Sequence, residues 1–393
     1  MIRLYIERER ERGSMPALSG CQNITELGAL ARRRLPLPVS AILFGGAEDE
    51  VTLHRNTRAL DDIAIIPKAL VDVAHVQTET TLFGIQTKSP FFCSPTGLSR
   101  LFHPEGELAV ARAAARKGLF YGLSANSTHS LEAVNTASDG PKLFQLLPLR
   151  DRGLMRALIE RCRASGYHAL GLTIDAPTRG NCEGDVRGGL GRGLTPANLV
   201  RFAMHPRWSI GQVQHGRLTI PIAVDATNVR DFADNSRFVG AQLDPGFSWK
   251  DVEDIVTLWK GPFALKGVLA PDDAKRALDV GATSIIVSNH GGRQLDGAAA
   301  AITCLPGVVA AVAGRAEIIL DGGIRRGSHI LKALALGAHG VSIGRAYLYG
   351  LAAGGEQGVL HALSILQQEF ERAMRLSGCA TLADISRDLV RIP

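Results

Sequence analysis

The chain is short of aromatic residues: Phe, Trp and Tyr make up 5% of its 393 residues. Stacking platforms for single-stranded nucleic acid are built from such rings, so that class of partner is disfavoured. Charge of one sign is not in large excess either. Lys and Arg number 44 against 38 Asp and Glu, a diffuse net of +6, which is no nucleic-acid footprint. None of the six cysteines (Cys21, Cys93, Cys162, Cys182, Cys304, Cys379) forms a C-x-x-C pair, so free thiols in a reducing cytosol are expected. No apolar run approaches the roughly 18 residues of a membrane span. The segment Met1 to Gly13 alternates in charge and has no apolar centre, unlike a secretory signal. Met15 is an alternative start. A cytoplasmic protein with neither a membrane nor a nucleic-acid partner is expected.

What is present is enough for a large core. The chain is 46% hydrophobic and 21% charged, with 43 Gly and 18 Pro, which excludes a disordered chain or a small stapled scaffold. The length fits one large barrel or two ordinary domains. Eight short apolar runs stand out: Phe91–Ser94, Leu119–Ser124, Lys142–Leu147, His168–Asp175, Pro262–Gly267, Thr283–Ser288, Glu317–Asp321 and Gly340–Gly344. Most lack polar alternation, as strands buried on both faces do. Helical patterns fall between them at Pro104–Lys117, Asp151–Ser165, Pro271–Val280 and Ser328–Leu336. The rhythm predicts an α/β fold, a (β/α)8 TIM barrel, over a doubly wound sheet. Residues 1–34 read as an extension and helix, and 35–393 as the barrel. The gap at about 176–261 is too long for a simple loop and reads as a lid-like insertion after strand four. Its tip, around Val213–Val239, is polar and poorly periodic, so a mobile tip is expected.

Barrel chemistry sits where strands end. Strand four ends in Thr173-Ile174-Asp175, a carboxylate, and strand five in Lys266-Gly267, an ammonium. After strand six comes Ser288-Asn289-His290-Gly291-Gly292-Arg293, a titratable base followed by a planar anion clamp. Strand seven runs into Asp321-Gly322-Gly323-Ile324-Arg325, and strand eight into Gly344-Arg345. Glycine turns followed by arginine suit phosphate. Singly, each has a bland reading: a structural histidine, a turn, a helix cap, a surface charge. Jointly they point to a phosphate-bearing cofactor with acid–base chemistry.

These motifs resemble the FMN-dependent L-2-hydroxy acid oxidases and dehydrogenases, the family of glycolate oxidase, lactate oxidase and mandelate dehydrogenase. SNHGGRQLD at 288–296 is the most specific match. LDGGIRRG at 320–327, LALGAHGVSIGR at 334–345 and LFHPEGELAVARAA at 101–114 add to it. The resemblance implies FMN across the barrel mouth. Asp321, Gly323, Arg325, Gly344 and Arg345 would hold its ribityl chain and phosphate. Pro95, Thr96 and Gly97 would pack near its ring, and Ser124, Gln145 and Thr173 would bond the ring's polar edges. Ser288 would belong to the same site, and Lys266 would steady the charge of the reduced ring. His290 would be the general base, Asp175 its partner, and Arg293 the clamp for a substrate carboxylate. The implied reaction takes a small-molecule substrate, with O2 or another electron acceptor closing the cycle, in a homo-oligomer expected to be a tetramer. Gly97 leans toward a dehydrogenase.

The substrate side departs from the family pattern. Ile42 and Leu147 stand where members carry tyrosines, Cys182 where they carry a second carboxylate-binding arginine, and Asn126 where an aromatic residue is common. Each charge-assisted hydrogen bond so lost costs about 1.5–3 kcal/mol. A larger, more apolar substrate is therefore expected, or a derivative whose carboxylate is masked as an ester or amide. Arg179 or Arg187 offers a replacement guanidinium. Cys182 reads as small filler, not as a nucleophile. Oxidative decarboxylation and a non-catalytic FMN-binding role stand as alternatives.

Overall fold

A computed structural model describes residues 18–189, 195–229 and 231–393. The charged N-terminal segment and the alternative start at Met15 lie outside them. All eight apolar runs form strands: β1 (Phe91–Thr96), β2 (Tyr121–Ser124), β3 (Lys142–Leu146), β4 (Ala169–Thr173), β5 (Phe263–Val268), β6 (Ser284–Val287), β7 (Glu317–Asp321) and β8 (Gly340–Ile343). They pair in parallel, each with the next, and β8 pairs with β1 to close the barrel. Closure leaves no edge strand, and helices outside bury the outer face. That double burial is why the strands read as continuous apolar runs. The expected helices are present as Gly106–Arg116, Arg152–Ala164, Pro271–Asp279 and Gly327–Ala335.

The barrel floor carries a plug that the sequence did not announce. A hairpin, Thr80–Leu82 paired with Ile85–Thr87, turns at Phe83 and Gly84. Phe83 meets the rings of Phe92 and Phe120 edge-on, with centroids 5.5 and 5.2 Å away. These side chains join Leu143, Ala169, Ala264, Ile286 and Ile319 in a separate inner core. The floor is thereby closed, and the opposite, C-terminal mouth is left for chemistry. The N-terminal helix Ile24–Arg34, capped by Asn23, buries Leu27 and Ala31 beneath the long C-terminal helix Arg345–Ser377.

The insertion is helical: much of Val213–Val239 falls within the helices Pro206–Gln214, Pro221–Thr227 and Phe232–Gln242. Pro206 and Pro221 start the first two, and Asp231 caps the third by accepting from the Ala233 and Asp234 amides. Helices this short give a weak periodic signal, so their start signals are the more informative cue.

Candidate active site

Register sets the site. At the barrel mouth Ser124 lies opposite Gln145, Thr173 opposite Lys266, and Asp321 opposite Ser342. Polar side chains at the ends of otherwise apolar strands are thus gathered into one ring. A cavity of about 760 Å³ opens there, within the ordinary range for ligand sites.

Of the expected site residues, Ile42, Pro95, Thr96, Gly97, Ser124, Asn126, Gln145, Leu147, Cys182, Lys266, His290, Arg293, Asp321, Gly323, Arg325, Gly344 and Arg345 line this cavity. Thr173, Asp175 and Ser288 stand behind the wall and hold its groups in place. His290 sits at φ +58°, with Gly291 and Gly292 also at positive φ. This left-handed run is separated from β6 by two residues and turns the imidazole toward Asp175. His290 Nδ1 lies 3.1 and 3.2 Å from the two Asp175 oxygens. Thr173 Oγ1 donates to Asp175 Oδ1 at 2.6 Å. Burial works to raise the Asp175 pKa, but His290, Lys266 and these hydrogen bonds outweigh it and hold the carboxyl well below its usual range. Gly267, at φ +104°, makes the approach possible, because a Cβ there would stand 2.7 Å from Asp175 Cβ.

A second network lies deeper. Asp321 accepts from Ser94 at 3.0 Å, from Ser288 at 2.7 Å and from Ser342, and the Lys266 ammonium is 3.3 Å away. Burial favours the neutral acid, yet Lys266 and the three hydroxyls together keep Asp321 below the ordinary carboxylate range. Ser288 also receives the Lys266 ammonium at 3.2 Å and the His290 amide at 3.0 Å. It therefore ties the imidazole segment to the buried ion pair.

The substrate wall contains a group that sequence reasoning missed. Asp185, on the insertion helix Glu183–Gly188, pairs with Arg293 at 2.7 Å, while Arg293 also donates to the Ile42 and Gly45 carbonyls. The other Asp185 oxygen is buried without a partner. No local pattern in the sequence marks Asp185. The hydroxyls of Ser94 and Ser342, by contrast, were visible as isolated polar residues inside apolar strands. Arg179 lines the cavity and donates to the Ser236 carbonyl and hydroxyl. Burial pushes its guanidinium down. Arg187 instead pairs with Glu183 on the exposed side. Burial pushes the Cys182 thiol up, against any nucleophilic role, and its sulfur contacts the Arg293 carbonyl.

One end of the cavity is built for an anion. Arg345 is half-buried in the cavity wall and donates to the Leu43, Gly45 and Gly291 carbonyls, with no carboxylate paired to it among the described residues. Burial, then Arg325 and Arg293, push it down to about 10. It opens the helix Arg345–Ser377, whose N-cap Gly344 offers no capping side chain. Two guanidinium groups beside bare helix amides suit a phosphate. Elsewhere in the cavity wall, the Gln145 Oε1 is buried with no hydrogen-bond partner. An FMN-sized group with a phosphate end and a polar ring edge fits these donors and acceptors.

Residues 31–392 match the family model for FMN-dependent dehydrogenases. This chain belongs to that family. It is an FMN-dependent oxidoreductase. It is 43% identical to the L-lactate oxidase of a Nostoc species, over 96% of this chain and all of that protein. The solved structure of (S)-mandelate dehydrogenase, described as a monotopic membrane protein, superposes with a TM-score of 0.92 at 34% identity, covering 95% of this chain and all of the other. A mandelate oxidase carrying an arginine-to-leucine change, solved with 2-hydroxy-phenylacetamide, matches at 36% identity and a TM-score of 0.79, covering 94% of this chain and 98% of the other. Among the described residues, no helix is long and apolar enough to cross a membrane.

Proposed function

We propose that this enzyme oxidises the CH–OH group of a 2-hydroxy acid, or of a larger or masked derivative, to the 2-keto product. The observation that carries this is the His290–Asp175 pair at the cavity wall. FMN, when bound, supplies the acceptor for the two electrons. Arg325, Arg345 and Gly344 would hold its phosphate end, with Asp321 and Gly323 beside them. Gln145, Ser124, Thr173 and Lys266 would serve its polar edges, and Pro95, Thr96 and Gly97 would pack against it.

His290 takes the substrate proton. Its Nδ1 is committed to Asp175, which leaves Nε2 as the accepting nitrogen. Asp175 keeps its negative charge and offsets the positive charge that forms on the ring. Ser288 and Gly267 fix the two partners without touching substrate.

The substrate class follows from the opposite wall. Ile42, Leu147 and Cys182 give it an apolar surface, and Arg293 is already neutralised by Asp185. A small free carboxylate would have to compete with Asp185 for that guanidinium. An aryl or long alkyl 2-hydroxy acid, or an amide or ester, suits the wall better. The related mandelate oxidase solved with an amide supports this reading. A second reading rests on Arg179: as a cavity-lining guanidinium with no carboxylate partner among the described residues, it could hold a free carboxylate instead. Anaerobic flavin bleaching with a panel of free 2-hydroxy acids and their amides and esters tests the choice. Aryl or masked compounds should bleach the flavin fastest, and efficient turnover of glycolate or lactate would contradict this reading. A cytoplasmic homotetramer, reoxidised by O2 or another acceptor, completes the proposal. The six unpaired thiols support the compartment.

A further inference from the structure

The substrate wall holds a donor and an acceptor next to each other. Arg293 commits Nη1 to the Ile42 and Gly45 carbonyls, at 2.9 and 3.1 Å, and reaches Asp185 Oδ2 with Nη2 at 2.7 Å. Its Nε has no hydrogen-bond partner among the described residues. Asp185 Oδ1 is buried and likewise unpaired among them. Both side chains line the cavity. A buried carboxylate oxygen is costly to leave unsatisfied, and only a donor satisfies it. The acceptor is also fixed in place. Its helix, Glu183–Gly188, packs on the helix Leu37–Phe44 that carries Ile42, so closely that a Cβ on Gly188 would stand 3.1 Å from Ala41 Cβ. Just before that helix, the Asn181 carbonyl accepts from the Glu48 amide at 2.9 Å. Gly180 lets the chain pass Arg293, whose carbonyl oxygen a Cβ there would meet at 2.1 Å. These contacts make Asp185 part of the wall beside Arg293.

The chemistry of this pair separates the compounds that the apolar wall alone does not. A free carboxylate offers acceptors and a negative charge, both unsuited to Asp185. An ester offers acceptors only and leaves Asp185 Oδ1 unpaired. A carboxamide with an N–H offers one of each: its carbonyl oxygen accepts from Arg293 while its N–H donates to Asp185 Oδ1. A site built to hydrogen-bond a group rejects analogues that lack it much more strongly than an apolar pocket rejects a missing methylene. We propose that Asp185 is a specificity-determining residue that selects 2-hydroxy amides bearing an N–H over free acids and over esters. This rests on the oxidation of a 2-hydroxy compound proposed above and narrows its substrate class. The amide nitrogen takes no part in the redox step. Two electrons and two protons leave the CH–OH group as they would from an acid, the electrons to FMN and the first proton to His290, and the product is the 2-keto amide.

The free acid, the methyl ester and the N-methyl amide of one aryl 2-hydroxy acid are compared by anaerobic flavin bleaching, with parent holoenzyme and with Asp185→Ala. Ester and amide differ only by O in place of N–H, so size does not separate them. The parent should favour the amide over the ester by at least about tenfold in kcat/KM, and Asp185→Ala should lose most of that preference. Any difference in intrinsic reactivity between the two compounds is common to both proteins and cancels when their ratios are compared. Were Asp185 only a brace for Arg293, its removal would slow all three compounds and leave the amide-to-ester ratio unchanged. That result overturns the proposal. Flavin content reports folding. Should Asp185→Ala lose flavin, Asp185→Asn, of the same size, should still lower the ratio. Should both variants lose it, the parent decides alone: an ester that bleaches the flavin as fast as the amide overturns the proposal. A parent that bleaches fastest with the free acid also overturns it, and leaves 2-hydroxy acid oxidation standing. A parent bleached by none of the three overturns both.

Discussion

Asp175 reaches His290 with both carboxylate oxygens, at 3.1 and 3.2 Å from one ring nitrogen, although the two residues are 115 positions apart in the chain. Thr173 on one side and the Ser288 hydroxyl under the His290 amide hold the pair in this arrangement. The imidazole is thereby oriented before any substrate arrives, which is the condition for efficient proton transfer.

Replacing Asp175 with Asn keeps the size of the side chain and removes the charge. Turnover is expected to fall on the order of 10²-fold, since general-base catalysis contributes roughly that much or more. Flavin content should stay at the parent level, because Asp175 stands behind the cavity wall. Rapid-reaction measurement of flavin reduction checks both parts.

Cys182→Arg would restore a guanidinium to the substrate wall. A charge-assisted hydrogen bond to a carboxylate is worth about 1.5–3 kcal/mol, or about tenfold upward in affinity. The variant should therefore gain at least about tenfold in kcat/KM on free small 2-hydroxy acids, mainly through KM. It should gain nothing on amides or esters. Comparing kcat/KM for a free acid and its amide in parent and variant measures this.

Acid should unfold the enzyme early. Asp321, Asp175 and Glu107 all have pKa values depressed in the fold. Glu107 is buried; burial opposes its charge, but His129 and the amide and hydroxyl of Thr128 outweigh that. A carboxyl with a depressed folded pKa adds stability that is full above its unfolded pKa of about 4 and fades as pH falls through the folded value. Denaturant midpoints should be flat with respect to these groups above about pH 5 and fall steeply below about pH 4. A midpoint unchanged down to pH 3 would contradict the carboxylate networks described above.

The barrel was legible because double burial writes each strand as a continuous apolar run, and because the charged and glycine residues stand at the strand ends. His290, Asp175, Lys266 and Arg293 were legible for the same reason. The floor hairpin was not, since Phe83 and Gly84 look like any loop until their contacts with Phe92 and Phe120 are known. Asp185 was hidden differently. It belongs to a short helix of a long insertion, and only the three-dimensional path of that insertion brings it to Arg293. Asp296, in the most specific motif, proves to be structural: it caps the helix Val51–Asp62 through the Val51 and Thr52 amides.

The central claim is that His290 accepts the substrate proton while FMN takes the electrons. His290→Ala holoenzyme, mixed anaerobically with a substrate that bleaches the parent, tests this most directly. The expected result is a protein that remains yellow, with flavin content equal to the parent and reduction slowed by at least about 10²-fold. Bleaching of the variant at the parent rate would contradict the claim.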